Sequence, residues 1–392
     1  MTAAVQALPL RATEDWGSVA GAFLLTLVGF GAIYSTGAFA GPVAAGLGLP
    51  RGVVEAVYAI NGGSCFLVSA LSGPLADRMD VRRLTGAGAS LVAAGLALAA
   101  LWPGLPGLFL GYGLLVGLGA GCAYIPAMVA VQRGFTQRRG LASGLAVSGA
   151  GVGTAAAPQL AALPLPWEGA LLLAALAALP LGLLGASLLR PWHGPAPARA
   201  AAAPPGALPR GLLPCFAGVL LVSVPVSVPH ALLVGTALDR GVPMAAAVEL
   251  LGVVGLGTLL GRFLLGPLAD RLGRAGVFLA CCACSALSLP FWAAAEDWTR
   301  LAVFALAFGA AQGGFVALLP AFLADRFGLA GLGRVMGLTF ASRGIAMLAA
   351  PPLVALGFAG WPGMAAATAL AAGCGLAGAA LLAAVAAPSR AR

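Results

Sequence analysis

Arg262 stands inside an unbroken apolar run, flanked by Leu259, Leu260, Phe263, Leu264 and Leu265, and Arg343 stands in another, TFASRGIA at 339–346. A guanidinium keeps its charge at any physiological pH, and at mid-bilayer depth it costs about 2.5–3.5 kcal/mol on insertion scales. Such a side chain faces a protein interior or a wet cavity and meets an anion there. No Asp or Glu falls deep in any apolar run; Glu55 and Glu249 lie near the outer ends of theirs. The remaining partner is an anion from outside the chain, and a carboxylate matches the planar two-donor fork of arginine. Tyr34, Tyr58 and Tyr124 also fall within apolar runs. A phenol there can donate to a carboxylate while its ring walls a cavity, although tyrosine is equally at home in a plain helix interface. Asn61 and Gln312 are candidates for the same cavity, with interhelical hydrogen bonding as the competing role.

The elements that must position these residues are membrane spans. Of 392 residues, 61% are hydrophobic and 8% charged, where a soluble domain carries about 25% charged residues. Apolar segments long enough to span, roughly 20 residues each, run at 17–40, 52–75, 84–102, 107–130, 140–163 and 169–189. A Pro/Ala-rich stretch follows, and then six more segments at 212–236, 247–269, 277–295, 301–324, 335–357 and 363–387. The expectation is an all-α membrane protein of twelve transmembrane helices in two pseudo-symmetric six-helix bundles. The N-terminal bundle is 1–189, the linker 190–210 and the C-terminal bundle 211–392. All 21 basic residues are arginine, and with both termini cytoplasmic sixteen lie on that side against Arg51, Arg240 and Arg300 outside. That bias sets the orientation and points to a multi-pass inner (plasma) membrane protein. Arg262 and Arg343 are the two left over, each about 5 Å to the cytoplasmic side of the midplane at 1.5 Å per residue.

The two halves repeat. GPLADRMDVRR at 73–83 and GPLADRLGRAG at 266–276 share their first six residues at an offset of 193. Gly73, Asp77 and Arg78, with Gly266, Asp270, Arg271 and Arg274, are thereby marked as cytoplasmic turn residues that serve conformational change. The same offset sets Ser69 and Ala150 opposite the two buried arginines, so neither arginine belongs to the repeat. Two related bundles with a site between them is the layout of a rocker-type carrier.

The paired turns resemble the G-x-L-x-D-R-x-G-R signature of the major facilitator superfamily, with Asp80 and Val81 departing from it in the first copy. RGFTQRRGLASGLAVSGAGVG at 133–153 is similar to the corresponding segment of monocarboxylate transporters and their oxalate/formate-exchanger relatives, and Asp15-Trp16-Gly17 faintly resembles the start of the former. The resemblance implies that Arg262 is the eighth-span arginine of both groups, favours Tyr34 and Tyr124, and likens Arg343 to the eleventh-span cation of the oxalate exchanger. Thr258 stands where the monocarboxylate group carries an acidic residue, which counts against carboxylate-mediated proton coupling.

The resulting expectation is a secondary transporter for small organic anions with one or two carboxylates, working by alternating access and anion exchange. The alternative within the class is a lactate-like uniporter or proton symporter. Its partners are the anion and the lipid bilayer; a monomer is expected, with no cofactor, metal or nucleic acid. An enzyme would need a nucleophile-base pair or a metal cluster, and HExxH and GxSxG are absent. A non-transporting sensor would be expected to add a soluble signalling domain, whereas this chain spends nearly everything on spans.

Overall fold

The computed structural model describes residues 14–161, 163–191, 208–360 and 364–387; linker residues 192–207 and the side chains of Arg51, Glu55 and Tyr58 lie outside the described residues. The described chain is helical, with no strand. α1 (Trp16–Tyr34) and α2 (Thr36–Leu47) form one rod broken at Ser35, and α3 (Arg51–Leu67) and α4 (Ser69–Ala76) form a second broken at Val68. α5 (Val81–Leu101) is the third. The fourth joins α6 (Leu105–Gly107), a π-helical stretch over Leu108–Leu115 and α7 (Val116–Gly134). α8 (Arg139–Ala161) and α9 (Trp167–Leu188) complete the first half. The second half is α10 (Leu212–Asp239), α11 (Met244–Leu272), α12 (Arg274–Ala294), α13 (Trp298–Phe327), α14 (Leu332–Gly360) and α15 (Met364–Ala386). Among the described residues ten helices are long and apolar enough to cross a membrane. α8 and α14, of 23 and 29 residues, are two further rods, consistent with six plus six.

Local signals explain the ends of these rods. Asp15 caps α1 by accepting from the Ser18 amide at 3.2 Å and the Ser18 hydroxyl at 2.6 Å. Asp80, the departure from the turn signature, caps α5 by accepting from the Arg82 amide at 2.8 Å. The glycine face at 113, 117 and 121 lies against α3, where Gly113 meets Val57 and Gly121 meets Cys65. Faces turned away from the bundles carry bare leucines, such as Leu101 at 72% and Leu264 at 64% exposure, as lipid contact requires.

Each half packs on itself, α1 against α8 and α5 against α9 in the first, α11 against α13 and α10 against α15 in the second. The halves meet along two seams, α8 with α11 and α3–α4 with α14. Both seams hold the site.

Candidate functional site

Helical periodicity brings Arg262 inward. On α11 the buried positions are Val254, Gly257, Gly261, Arg262, Gly266 and Ala269, while Leu256, Leu260, Phe263 and Leu264 are exposed. On α14 Arg343 shares its buried face with Met336, Thr339 and Phe340. Each arginine is 8% exposed. Among the described residues, no carboxylate stands among the charges acting on either one.

What surrounds them instead is uncharged. Arg262 Nη1 donates to the Val147 carbonyl on α8, in the opposite half, at 3.2 Å. The Arg343 guanidinium carbon lies 5.0 Å from the Phe66 ring centroid, 5.2 Å from Phe315 and 5.9 Å from Phe340. The Nε of Arg262 and the Nη1 of Arg343 are buried with no hydrogen-bond partner among the described residues. A buried polar donor without a partner costs about 1–3 kcal/mol, more when charged. A carboxylate between the two guanidiniums would supply the missing acceptors.

Of the three phenols expected here, the Tyr58 side chain lies outside the described residues, and the other two lie near the arginines. Tyr34 and Tyr124 both lie within electrostatic reach of both arginines. Their rings join one aromatic cluster: Phe30 stacks on Tyr34 at 5.9 Å and meets Tyr124 edge-on at 5.0 Å, and Tyr124 meets Phe340 at 5.6 Å. Gln312 is half-buried on α13, one turn before Phe315, with its Oε1 buried and without a partner among the described residues. Asn61 is committed elsewhere: fully buried, it donates to the Tyr112 carbonyl at 2.8 Å, tying α3 to the π-helical stretch. His230 is bonded to the Val226 carbonyl at 3.0 Å, a local contact on its own helix.

The turn residues form a pair of latches. Asp77 accepts from the amides of Gly333 and Arg334 at 3.0 and 2.8 Å, at the start of α14. Asp270 accepts from the amides of Gly140 and Leu141 at 2.9 Å each, at the start of α8. Each carboxylate thus reaches the other half and sits on a helix N-terminus, where free amides and the helix dipole favour negative charge. Close backbone approach makes the reach possible: a β-carbon at Gly140 would sit 2.5 Å from the Gly266 carbonyl oxygen, and the Gly73–Gly333 contact is closer still. Arg274 braces Asp270 at 3.1 Å and Asp325 at 2.5 Å, and Asp325 also pairs with Arg139 at 2.6 Å. Asp77 is braced by Arg133 at 2.7 Å. Arg78 and Arg271, named with these turns, are exposed.

Arg133, Arg139 and Asp325, like Phe66, Phe315, Phe340 and Val147, were not singled out from the sequence. Two signals were available. Phe340 and Phe315 stand one helical turn from Arg343 and Gln312, and RGFTQRRG already held two of the bracing arginines.

The major facilitator superfamily model matches residues 22–254. Monocarboxylate transporter 11 of Homo sapiens is 31% identical over 303 residues, which cover 73% of this chain and 64% of that protein, just under two thirds of its length. Monocarboxylate transporter 13 of Rattus norvegicus is 30% identical over 332 residues, 82% of this chain and 76% of that protein. Among solved structures, the human organic anion transporter MFSD10 (TETRAN) superposes with a TM-score of 0.70 at 19% identity, covering 96% of this chain and 100% of that one. Apolar rods in two pseudo-repeated halves, latched at matching turns, agree with these matches: the chain belongs to the major facilitator superfamily of multi-pass membrane transporters and is similar in sequence to its monocarboxylate transporters.

Proposed function

We propose that this transporter carries small organic anions bearing one or two carboxylates, with Arg262 and Arg343 as the charged anchors. The observation that carries the reading is the pair of buried guanidiniums, each retaining a nitrogen with no partner, and neither facing a carboxylate, among the described residues. An opposite charge at 4 Å is worth about 4 kcal/mol at an effective dielectric near 20, enough to offset much of an arginine's burial. Tyr34 and Tyr124 supply hydroxyl donors and an aromatic wall, with Gln312 as a further polar group. Tyr58 stays in the proposal on the sequence alone, and Asn61 as a brace that ties α3 to the π-helical stretch. The relatives named as monocarboxylate transporters support a carboxylate substrate.

The mode is exchange. Returning empty, the carrier must close over two like charges with no internal carboxylate. Desolvating an unpaired ion costs several kcal/mol even after relaxation, so the loaded carrier reorients faster. The arginine-rich end faces the cytoplasm of the inner (plasma) membrane, and the working unit is the monomer. The test is uptake of radiolabelled formate, lactate, pyruvate and oxalate into liposomes preloaded with unlabelled anion or with buffer. Preloading should accelerate uptake of at least one. Equal accumulation in buffer-loaded vesicles, driven by an inward proton gradient, would replace exchange by proton symport. No uptake of any of the four would end the carboxylate reading.

A further inference from the structure

Arg343 sits among three phenylalanine rings, but they do not belong to one body. Phe315 and Phe340 lie on α13 and α14 of its own half, while Phe66 lies on α3 of the other. Phe66 is also the ring nearest the guanidinium, at 5.0 Å, and is 4% exposed. The backbone is arranged for that contact. A β-carbon on Gly344, the residue after Arg343, would lie 3.0 Å from the Phe66 β-carbon and 3.0 Å from the Leu67 amide nitrogen. Phe66 is held in register by stacking on Phe340 at 6.4 Å and by Phe30 at 6.1 Å. Arg262 shows the same logic in another chemistry, since its acceptor, the Val147 carbonyl, also comes from the opposite half.

A guanidinium taken out of water without an anion is opposed by desolvation. The negative face of an aromatic ring offsets part of that, and more strongly where water is excluded. With a carboxylate bound, the anion itself neutralises the guanidinium and the ring adds little. A ring contributed by the opposite half is in place only while the α3–α14 seam is shut. Its stabilisation therefore falls on the closed, empty carrier rather than on the open or loaded one.

We propose that Phe66 is a positioning residue for Arg343: its ring stands in for the anion when the empty carrier closes, and so sets how fast the empty carrier returns relative to the loaded one. This rests on the anion reading above. Transport of whichever of formate, lactate, pyruvate and oxalate the intact protein exchanges fastest is measured in liposomes of one preparation, as net uptake into buffer and as exchange against the same unlabelled anion. The ratio of the two rates cancels differences in the amount of folded protein. Phe66→Leu and Phe66→Met keep an apolar side chain and remove the ring, and either suffices should the other fold poorly. Net uptake should fall about tenfold, about 1.4 kcal/mol on that barrier, while exchange falls less than about twofold on the same scale. Phe66→Tyr, which keeps the face, should hold the wild-type ratio. An unchanged ratio in both ring-less variants, or a Tyr variant that falls with them, would overturn the proposal. So would a wild type that exchanges the anion but shows no net uptake at all. Failure of the wild type to exchange any of the four anions would remove the carboxylate reading itself, a separate outcome.

Discussion

The latches and the proposed anion site lie on the same pair of seams, yet they treat the internal repeat differently. Asp77 with Gly333 and Arg334, and Asp270 with Gly140 and Leu141, are one contact made twice, every member displaced by the same 193 positions. At the site the repeat is broken: the counterparts of Arg262 and Arg343 are Ser69 and Ala150. Ser69 is buried with its hydroxyl turned to the Cys65 carbonyl, and Ala150 is simply packed. On the proposed reading, motion is served by what the halves share and recognition by what they do not.

The latches also differ in their bracing. The second joins Arg139, Asp325, Arg274 and Asp270 in a continuous ionic chain, with Arg274 and Asp325 side chains 19% and 32% exposed. The first has Val81 where Arg274 stands and Gln132 where Asp325 stands, and relies on the Asp77–Arg133 pair. Gln132 instead donates to the Ser143 hydroxyl at 2.5 Å, a neutral contact inside its own half.

The largest effect should come from the unrepeated site. Arg262→Gln is expected to cut exchange at least about thirtyfold, because truncating a buried charge partner typically costs about 2–5 kcal/mol. Helicity and membrane insertion should be unchanged, and Arg262→Lys should restore little, having lost the fork. Near-normal uptake by a stably expressed Arg262→Gln variant would remove it as the anchor. Arg343→Gln divides the ligands: oxalate should lose about thirtyfold in affinity and lactate about threefold, since only a dianion gives up a second charge pair. Equal losses would place one carboxylate between both arginines.

Smaller effects should separate the latches. Spin labels at exposed positions 78 and 271, in a background freed of native cysteines, report how far the arginine-rich end is open. Asp270→Asn should shift that equilibrium toward the open form about thirtyfold and Asp77→Asn about tenfold, charged hydrogen bonds being worth about 1.5–3 kcal/mol each. Asp325→Asn, which removes only partly exposed pairs, should shift it about fivefold. Equal shifts for Asp270 and Asp77 would mean that the ionic chain adds nothing to the second latch.

The rods, the repeat and the two buried arginines were legible in the sequence. A charge in an apolar run and a duplicated six-residue string need no knowledge of neighbours. The aromatic surroundings of Arg343 were not legible, because lipid and protein interior are both apolar and phenylalanine suits either. The latches were half legible: Asp77 and Asp270 stood out, but the amides that donate to them lie across the molecule, where register between distant helices decides. The breaks at Ser35 and Val68 and the π-helical stretch at 108–115 left no mark in a run of Gly, Ala and Leu.

The most direct test of the account is ligand-induced stabilisation of the purified protein with Arg262 present and absent. A ligand at a hundred times its Kd, bound only to the folded state, adds about 2.7 kcal/mol. Saturating formate, lactate, pyruvate or oxalate should raise the wild-type unfolding temperature in at least one case and leave Arg262→Gln unmoved at the same concentration. An Arg262→Gln protein stabilised as much as the wild type by the same anion would contradict the assignment of that arginine and the site built around it.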